Sequence, residues 1–128
     1  MIAPLVLVVD DDPDILDAIC DILEGEGYRV ARARHGLEAL LRVEAERPAL
    51  ILLDLMMPVM DGVAFSHELR LRPAVRDVPI VVISADGNRQ RAASVGATGY
   101  LAKPFDIDSL LAHVSGIAGG ASAQTDAR

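Results

Sequence analysis

The sequence has no tryptophan, 3% aromatic residues in all, and a single cysteine. So few rings leave it without the stacking platforms on which single-stranded nucleic acid is held. Its 12 Lys and Arg stand against 19 Asp and Glu, a net charge of −7, so it also lacks the basic footprint of a duplex binder. The same balance removes the basic amphipathic face that anionic lipid attracts. With one cysteine there can be no internal disulfide, and Cys20 reads as a small buried apolar residue in a reducing compartment. No apolar run reaches bilayer length. The apolar start, residues 1–9, is short, carries no basic segment and runs directly into three aspartates, which is not the pattern of a signal peptide. The expectation is a cytoplasmic chain with no direct nucleic-acid partner and no membrane partner.

What the sequence does have is apolar mass and order. Its 128 residues are 52% hydrophobic and 24% charged, enough to close one core without metal or disulfide staples. Short apolar runs at 5–9, 28–33, 50–53, 80–83 and 100–102 have strand length. Those at 5–9, 50–53 and 80–83 show no polar alternation, as strands buried on both faces do not, whereas 28–33 alternates with arginine and reads as nearer an edge. Between them lie helical patterns. Asp12 caps the first, with Pro13 at its opening position and Ile15, Ile19, Ile22 and Leu23 inward. Leu37, Leu40, Leu41 and Ala45 form a second stripe; 63–70 is a short third helix and 88–95 a weak fourth. Asp106 caps a fifth, with Ile107, Leu110, Leu111 and Val114 inward. Strict alternation predicts an α/β fold: a five-stranded parallel sheet, doubly wound, with helices on both faces in a three-layer sandwich. The folded unit is expected over 1–117, and the small polar segment 118–128 reads as a flexible tail or linker.

Sites in such folds lie at the carboxyl ends of the strands. Residues just past each run should therefore meet at one rim. They are Asp10, Asp11 and Asp12 after the first run, Asp54 after the third, Ser84 after the fourth, and Lys103 with Pro104 and Phe105 after the fifth. Carboxylates gathered where water is scarce take up protons or need a cation. Hard oxygen ligands beside a phosphate call for Mg²⁺, which keeps several waters and needs few protein ligands. Asp54 is then a candidate nucleophile, with Mg²⁺ and Lys103 to neutralise phosphoryl charge and the Ser84 hydroxyl to bond a phosphoryl oxygen.

The segments VLVVDDDPDIL, LILLDLMMPVMDG, VVISA and GYLAKPF resemble, in order and spacing, the four signature stretches of bacterial response-regulator receiver domains, the CheY-like family. The resemblance runs from Leu5 to about Val114. It implies a flavodoxin-like strand order, 2-1-3-4-5. It implies that Asp54 is the phosphoacceptor, that Asp11 binds Mg²⁺ directly and Asp10 mostly through water, and that the backbone carbonyl of Met56 is a further ligand. Lys103 would pair with the phosphoryl group, and the bond before Pro104 would be cis. Ser84 and Tyr100 would form a switch pair, with Tyr100 following Ser84 inward when Asp54 is phosphorylated. The implied donor is a phosphohistidine on a histidine kinase or histidine phosphotransfer protein, and the implied output is a downstream effector protein or domain, with a homodimer also open. Such a chain takes and hydrolyses its own phosphoryl group and is not an enzyme turning over an external substrate. One departure is that the stretch between Ser84 and Lys103 is shorter than the family pattern by roughly one helical turn, around Asp86–Asn88. That shortening falls on the output surface and not on the pocket.

Each residue also has a plainer reading. Asp12 is a helix cap, Asp61–Gly62 a turn, and Ser84 a candidate cap for the fourth helix. Tyr100 can be a packed strand aromatic. His35, His67 and His113 read as surface or packing residues away from the rim, and the arginines at 29, 32, 34, 70, 72 and 76 as solvated faces. Two other functions compete. Asp10 and Asp12 form the D-x-D of a small Mg²⁺-dependent phosphohydrolase of haloacid-dehalogenase type, though the chain lacks room for such an enzyme's cap. A phosphorylation-independent interaction module is the third reading, which the complete set of Asp10, Asp11, Asp54, Ser84 and Lys103 opposes.

Overall fold

A computed structural model describes residues 3–57, 59–85 and 89–119. Pro58, the shortened stretch 86–88 and the tail 120–128 fall outside the described residues. Each apolar run forms a strand: β1 (Leu5–Val9), β2 (Arg29–Ala33), β3 (Leu50–Asp54), β4 (Ile80–Ser84) and β5 (Gly99–Ala102). They alternate with α1 (Pro13–Gly25), α2 (Gly36–Ala45), α3 (Gly62–Arg70), α4 (Arg89–Ser94) and α5 (Ile107–Ala118). All pairings are parallel, and the order is β2-β1-β3-β4-β5. The arginine-bearing strand β2 sits at an edge, as its alternation predicts. Helix α5 runs through Ala118, one residue past the boundary read from the sequence.

Strand residues point alternately to opposite faces, so the continuous apolar strands feed two cores. Leu7, Val9, Ile51, Leu53 and Val82 face α2, α3 and α4, where Leu40, Val43, Phe65 and Leu69 meet them. Val6, Val8, Leu50, Leu52, Val81 and Ile83 face α1 and α5, where Ile19, Cys20, Leu23, Leu110 and Val114 close the other side. Cys20 is fully buried, and burial pushes its thiol up to about 11, as befits an inert packing residue.

The helix faces correct the sequence reading in detail. The inward face of α1 is Leu16, Ile19, Cys20 and Leu23, with Ile15 and Ile22 flanking it. In α2 the inward residues are Gly36, Ala39, Leu40 and Val43, while Leu37 and Leu41 are 47% and 68% exposed and Ala45 faces solvent. In α5 only Leu110 and Val114 are buried, and Ile107 is exposed. The cause in α2 is close approach. A Cβ on Gly36 would lie 2.5 Å from Met60 Cγ, and Gly36 N donates to Met60 O at 2.9 Å. Gly36 therefore takes the inner face at this contact, which sets the face through Leu40 and Val43 and turns Leu37 and Leu41 outward.

Asp61–Gly62 is not a free turn but the start of α3. Asp61 caps it by accepting from Ala64 N at 2.8 Å, and a Cβ on Gly62 would meet Leu55 Cα at 2.7 Å and Asp54 O at 2.9 Å. Helix α3 is thus seated directly against the backbone of Asp54. Nor are all the arginines solvated faces. Arg70 donates to the carbonyls of Arg76, Val78 and Val95, tying the end of α3 to the entry of β4 and the residue after α4.

Candidate functional site

Register alone brings the rim residues together. Val9 pairs with Leu53, so Asp10 and Asp54 are next neighbours at the ends of β1 and β3. Asp54 pairs with Ile83, and Ser84 with Ala102, which brings Ser84 and Lys103 to the same edge from the other side. Lys103 N donates to Ser84 O at 2.9 Å, and the Lys103–Pro104 peptide bond is cis.

Three carboxylates gather there. Asp10, Asp11 and Asp54 each present an oxygen within 4.8 Å of the others, a spacing that could hold one metal ion. Asp10 is fully buried and Asp54 is 6% exposed, while Asp11 is more open. Asp10 accepts from Asp12 N at 2.9 Å through Oδ1 and from Lys103 Nζ at 2.9 Å through Oδ2. Asp54 accepts from Met56 N at 3.0 Å through Oδ1 and from Lys103 Nζ at 3.3 Å through Oδ2. One ammonium therefore bridges two buried carboxylates and leaves the trio with excess negative charge. At such spacing, repulsion within a pair is on the order of 3 kcal/mol at an effective dielectric near 20. The donor set is all hard oxygen and offset by only one cation, which fits Mg²⁺.

The electrostatics carry the same imbalance. Burial pushes the Asp54 carboxyl above the usual carboxylate range; the Met56 N–H opposes this, the charge of Asp10 adds to it, and Lys103 counters. Burial works against the Lys103 ammonium, yet its hydrogen bond to Asp10 and the charges of Asp10 and Asp54 hold it above its ordinary value. Because Asp54 binds its proton more tightly folded than unfolded, metal-free stability falls as pH rises from the ordinary carboxylate value through Asp54's raised one. Thermal melts across that range should show this decline in the natural protein and a flatter profile in Asp54→Asn.

The remaining predicted residues divide. Ser84 is buried at the end of β4, and the stretch that leads from there into α4 lies outside the described residues. The Met56 side chain is 56% exposed, while its backbone N–H serves Asp54. Tyr100 is half-buried and packs against the core beneath α2, α3 and α4. Asp12 stays outside the cluster. Its carboxylate caps α1, accepting from Asp14 N and Ile15 N at 2.9 and 3.4 Å. That occupation weighs against a D-x-D nucleophile pair.

The residues just past β2 were missed in the sequence. A polar cavity of about 250 Å³ is lined by Asp11, Arg34, His35 and Glu38, so His35 lies at the rim and not away from it. The carboxyl-end rule applied to β2 would have found it. On the other side, Ile15, Ile22, Lys103, Pro104, Phe105 and Ile107 line an apolar groove of about 420 Å³ beside the acidic cluster.

Comparison with known proteins gives concordant matches. A profile of the response regulator receiver domain matches residues 6–115. The chain is 42% identical over 118 residues to the transcriptional regulatory protein PrrA of Mycobacterium tuberculosis, covering 90% of this chain and 50% of PrrA. It is 38% identical over 114 residues to the DNA-binding dual master transcriptional regulator RpaA of Synechocystis, covering 87% of this chain and 47% of RpaA. It thus spans about half the length of the curated relatives it matches. Among solved structures, the receiver domain of the sensor histidine kinase PA1611 from Pseudomonas aeruginosa superposes with a TM-score of 0.85 at 32% identity, covering 92% of this chain and 99% of that one. It holds a magnesium ion in its active-site cleft. The chemotaxis protein CheY4 of Vibrio cholerae superposes with a TM-score of 0.84 at 33% identity, covering 91% and 99%.

Proposed function

Because the chain belongs to the response regulator receiver domain family, we propose that it is a phosphorylatable switch, taking a phosphoryl group onto Asp54 from a histidine kinase or histidine phosphotransfer protein. The observation that carries this reading is the placement of Lys103 Nζ between Asp10 and Asp54, beside the open carboxylate of Asp11. Asp10, Asp11, Asp54 and the Met56 carbonyl would hold Mg²⁺, which when bound supplies positive charge to the transferring phosphoryl oxygens.

The chain's own residues do the rest. The Met56 N–H fixes the Asp54 carboxylate in place. A carboxylate oxygen attacks the donor's phosphorus, the phosphorus–nitrogen bond breaks, its electron pair returns to the donor imidazole, and an acyl phosphate remains on Asp54. The Lys103 ammonium, already aimed at Asp54, pairs with the phosphoryl group, and the Ser84 hydroxyl bonds one of its oxygens. Ser84 turning inward makes room for Tyr100, and the surface of α4, β5 and α5 changes for an effector or a second copy of the chain. The apolar groove along α1 and Phe105 lies beside Lys103, and we assign it to the donor protein. The folded unit, extended through Ala118 by α5, forms the switch and the residues past Gly119 a linker on this reading, in the cytoplasm. Hydrolysis of the acyl phosphate resets the switch, with no turnover of an external substrate.

Incubation with Mg²⁺ and acetyl phosphate is expected to raise the intact mass by one phosphoryl group, and withholding Mg²⁺ to prevent it. An unchanged mass with Mg²⁺ present overturns the reading.

A further inference from the structure

The cavity between the ends of β1 and β2 contains groups that the proposed reaction leaves unused. Glu38, in the first turn of α2, is held at two points. Its carboxylate Oε1 accepts from Arg34 N at 2.7 Å, and its own N–H donates to His35 Nδ1 at 3.3 Å. This is a capping box reaching one residue further back than usual, closed by a histidine where Ser, Thr, Asp or Asn are the favoured residues. The two clamps fix the Glu38 side chain on the wall of a cavity it shares with Asp11. Among the described residues, nothing bonds its second oxygen, Oε2.

Bound Mg²⁺ keeps several waters, and polarised metal-bound waters donate hydrogen bonds. On this side of the cluster Arg34 can only donate, and His35 has given its acceptor nitrogen to the helix. Asp11 is taken up as a ligand. Glu38 is the acceptor that remains. Building on the receiver reading, we propose that Glu38 is a positioning residue for the cation. It accepts hydrogen bonds from the Mg²⁺ water shell on the Asp11 side and so fixes the orientation of the metal and its ligands.

The test is calorimetric titration of Mg²⁺ and Ca²⁺ into the unphosphorylated protein and its Glu38→Gln variant. Glutamine retains an oxygen for Arg34 N, so the helix start is preserved, and metal-free melting temperatures check this. The expected result is a loss of Mg²⁺ affinity of about tenfold or more, with a smaller loss for Ca²⁺, which sheds its waters more readily. Equal losses for both ions would reduce Glu38 to a distant charge and overturn the proposal, as would unchanged Mg²⁺ binding. Should Glu38→Gln melt lower without metal, Glu38→Asp decides. It draws the carboxylate back by one methylene while keeping its charge, and the proposal stands only if Mg²⁺ affinity falls there too, since a distant charge would leave it unchanged. Failure of the natural protein to bind Mg²⁺ would instead strike the receiver reading itself.

Discussion

Asp54→Asn is expected to abolish phosphoryl capture, leaving the intact mass unchanged after exposure to Mg²⁺ and acetyl phosphate. An amide oxygen has the size of the carboxylate oxygen and can still accept from Met56 N at the place where Asp54 does. It lacks the nucleophilicity to form the acyl phosphate. The substitution therefore removes the chemistry while sparing the shape of the site. It also discriminates between mechanisms. Asp10→Asn should only slow capture, because Asp10 helps to hold the cation and does not attack. A D-x-D phosphohydrolase predicts the reverse, with capture lost at Asp10 and retained in Asp54→Asn. Mass measurement of both variants under one set of conditions decides, and phosphorylation of Asp54→Asn at the natural rate would end the receiver assignment of that residue.

Lys103→Met is expected to move two measurements in opposite directions. The apolar stem is preserved and the ammonium is lost. Phosphorylation should slow by about 10²–10³, the effect of removing one preorganised electrostatic donor. Mg²⁺ binding should be retained or tightened, because Lys103 Nζ now occupies both Asp10 Oδ2 and Asp54 Oδ2 and competes for them. Rapid-mixing phosphorylation kinetics and calorimetric Mg²⁺ titration check the pair. A parallel fall in both would make the lysine a structural prop. Metal-free stability at neutral pH should also drop, since two buried carboxylates then face each other without a counter-charge.

Fold and site were legible to different depths. Strands were readable because β1 is apolar throughout and β3 and β4 at every position but their rim ends, so no face needed choosing. Topology then placed Asp10, Asp54, Ser84 and Lys103 at one rim from the carboxyl-end rule alone. The rule says which residues gather but not which bonds they make. That one ammonium spans Asp10 and Asp54 depends on side-chain reach, which periodicity does not encode. Helix faces were read less well. Hydrophobicity favours Leu37 and Leu41 as inward residues, yet the start of α2 comes so near Met60 that only glycine fits at position 36, and the inward face runs from there through Ala39, Leu40 and Val43. Gly62 was missed as a contact residue for the same reason, because the absence of a side chain leaves no periodic signal. His35 and Glu38 were passed over because the rule was applied to four strands and not to the edge strand β2.

The seating of α5 has a mechanical consequence. The helix starts just after Lys103 and Pro104, and its last carbonyls lie by Gly119, where the Tyr28 hydroxyl donates to Gly119 O at 2.7 Å. Twelve residues of helix span about 18 Å, roughly the length of the strands it lies along. It is therefore a rod tied to the start of the edge strand at its far end, while its near end follows directly on the strand end that carries Lys103. Torque applied at Lys103 by a new negative charge would arrive at Gly119 as a tilt or slide of the whole rod. Whatever is attached past Gly119 would register that displacement without ever touching the notch.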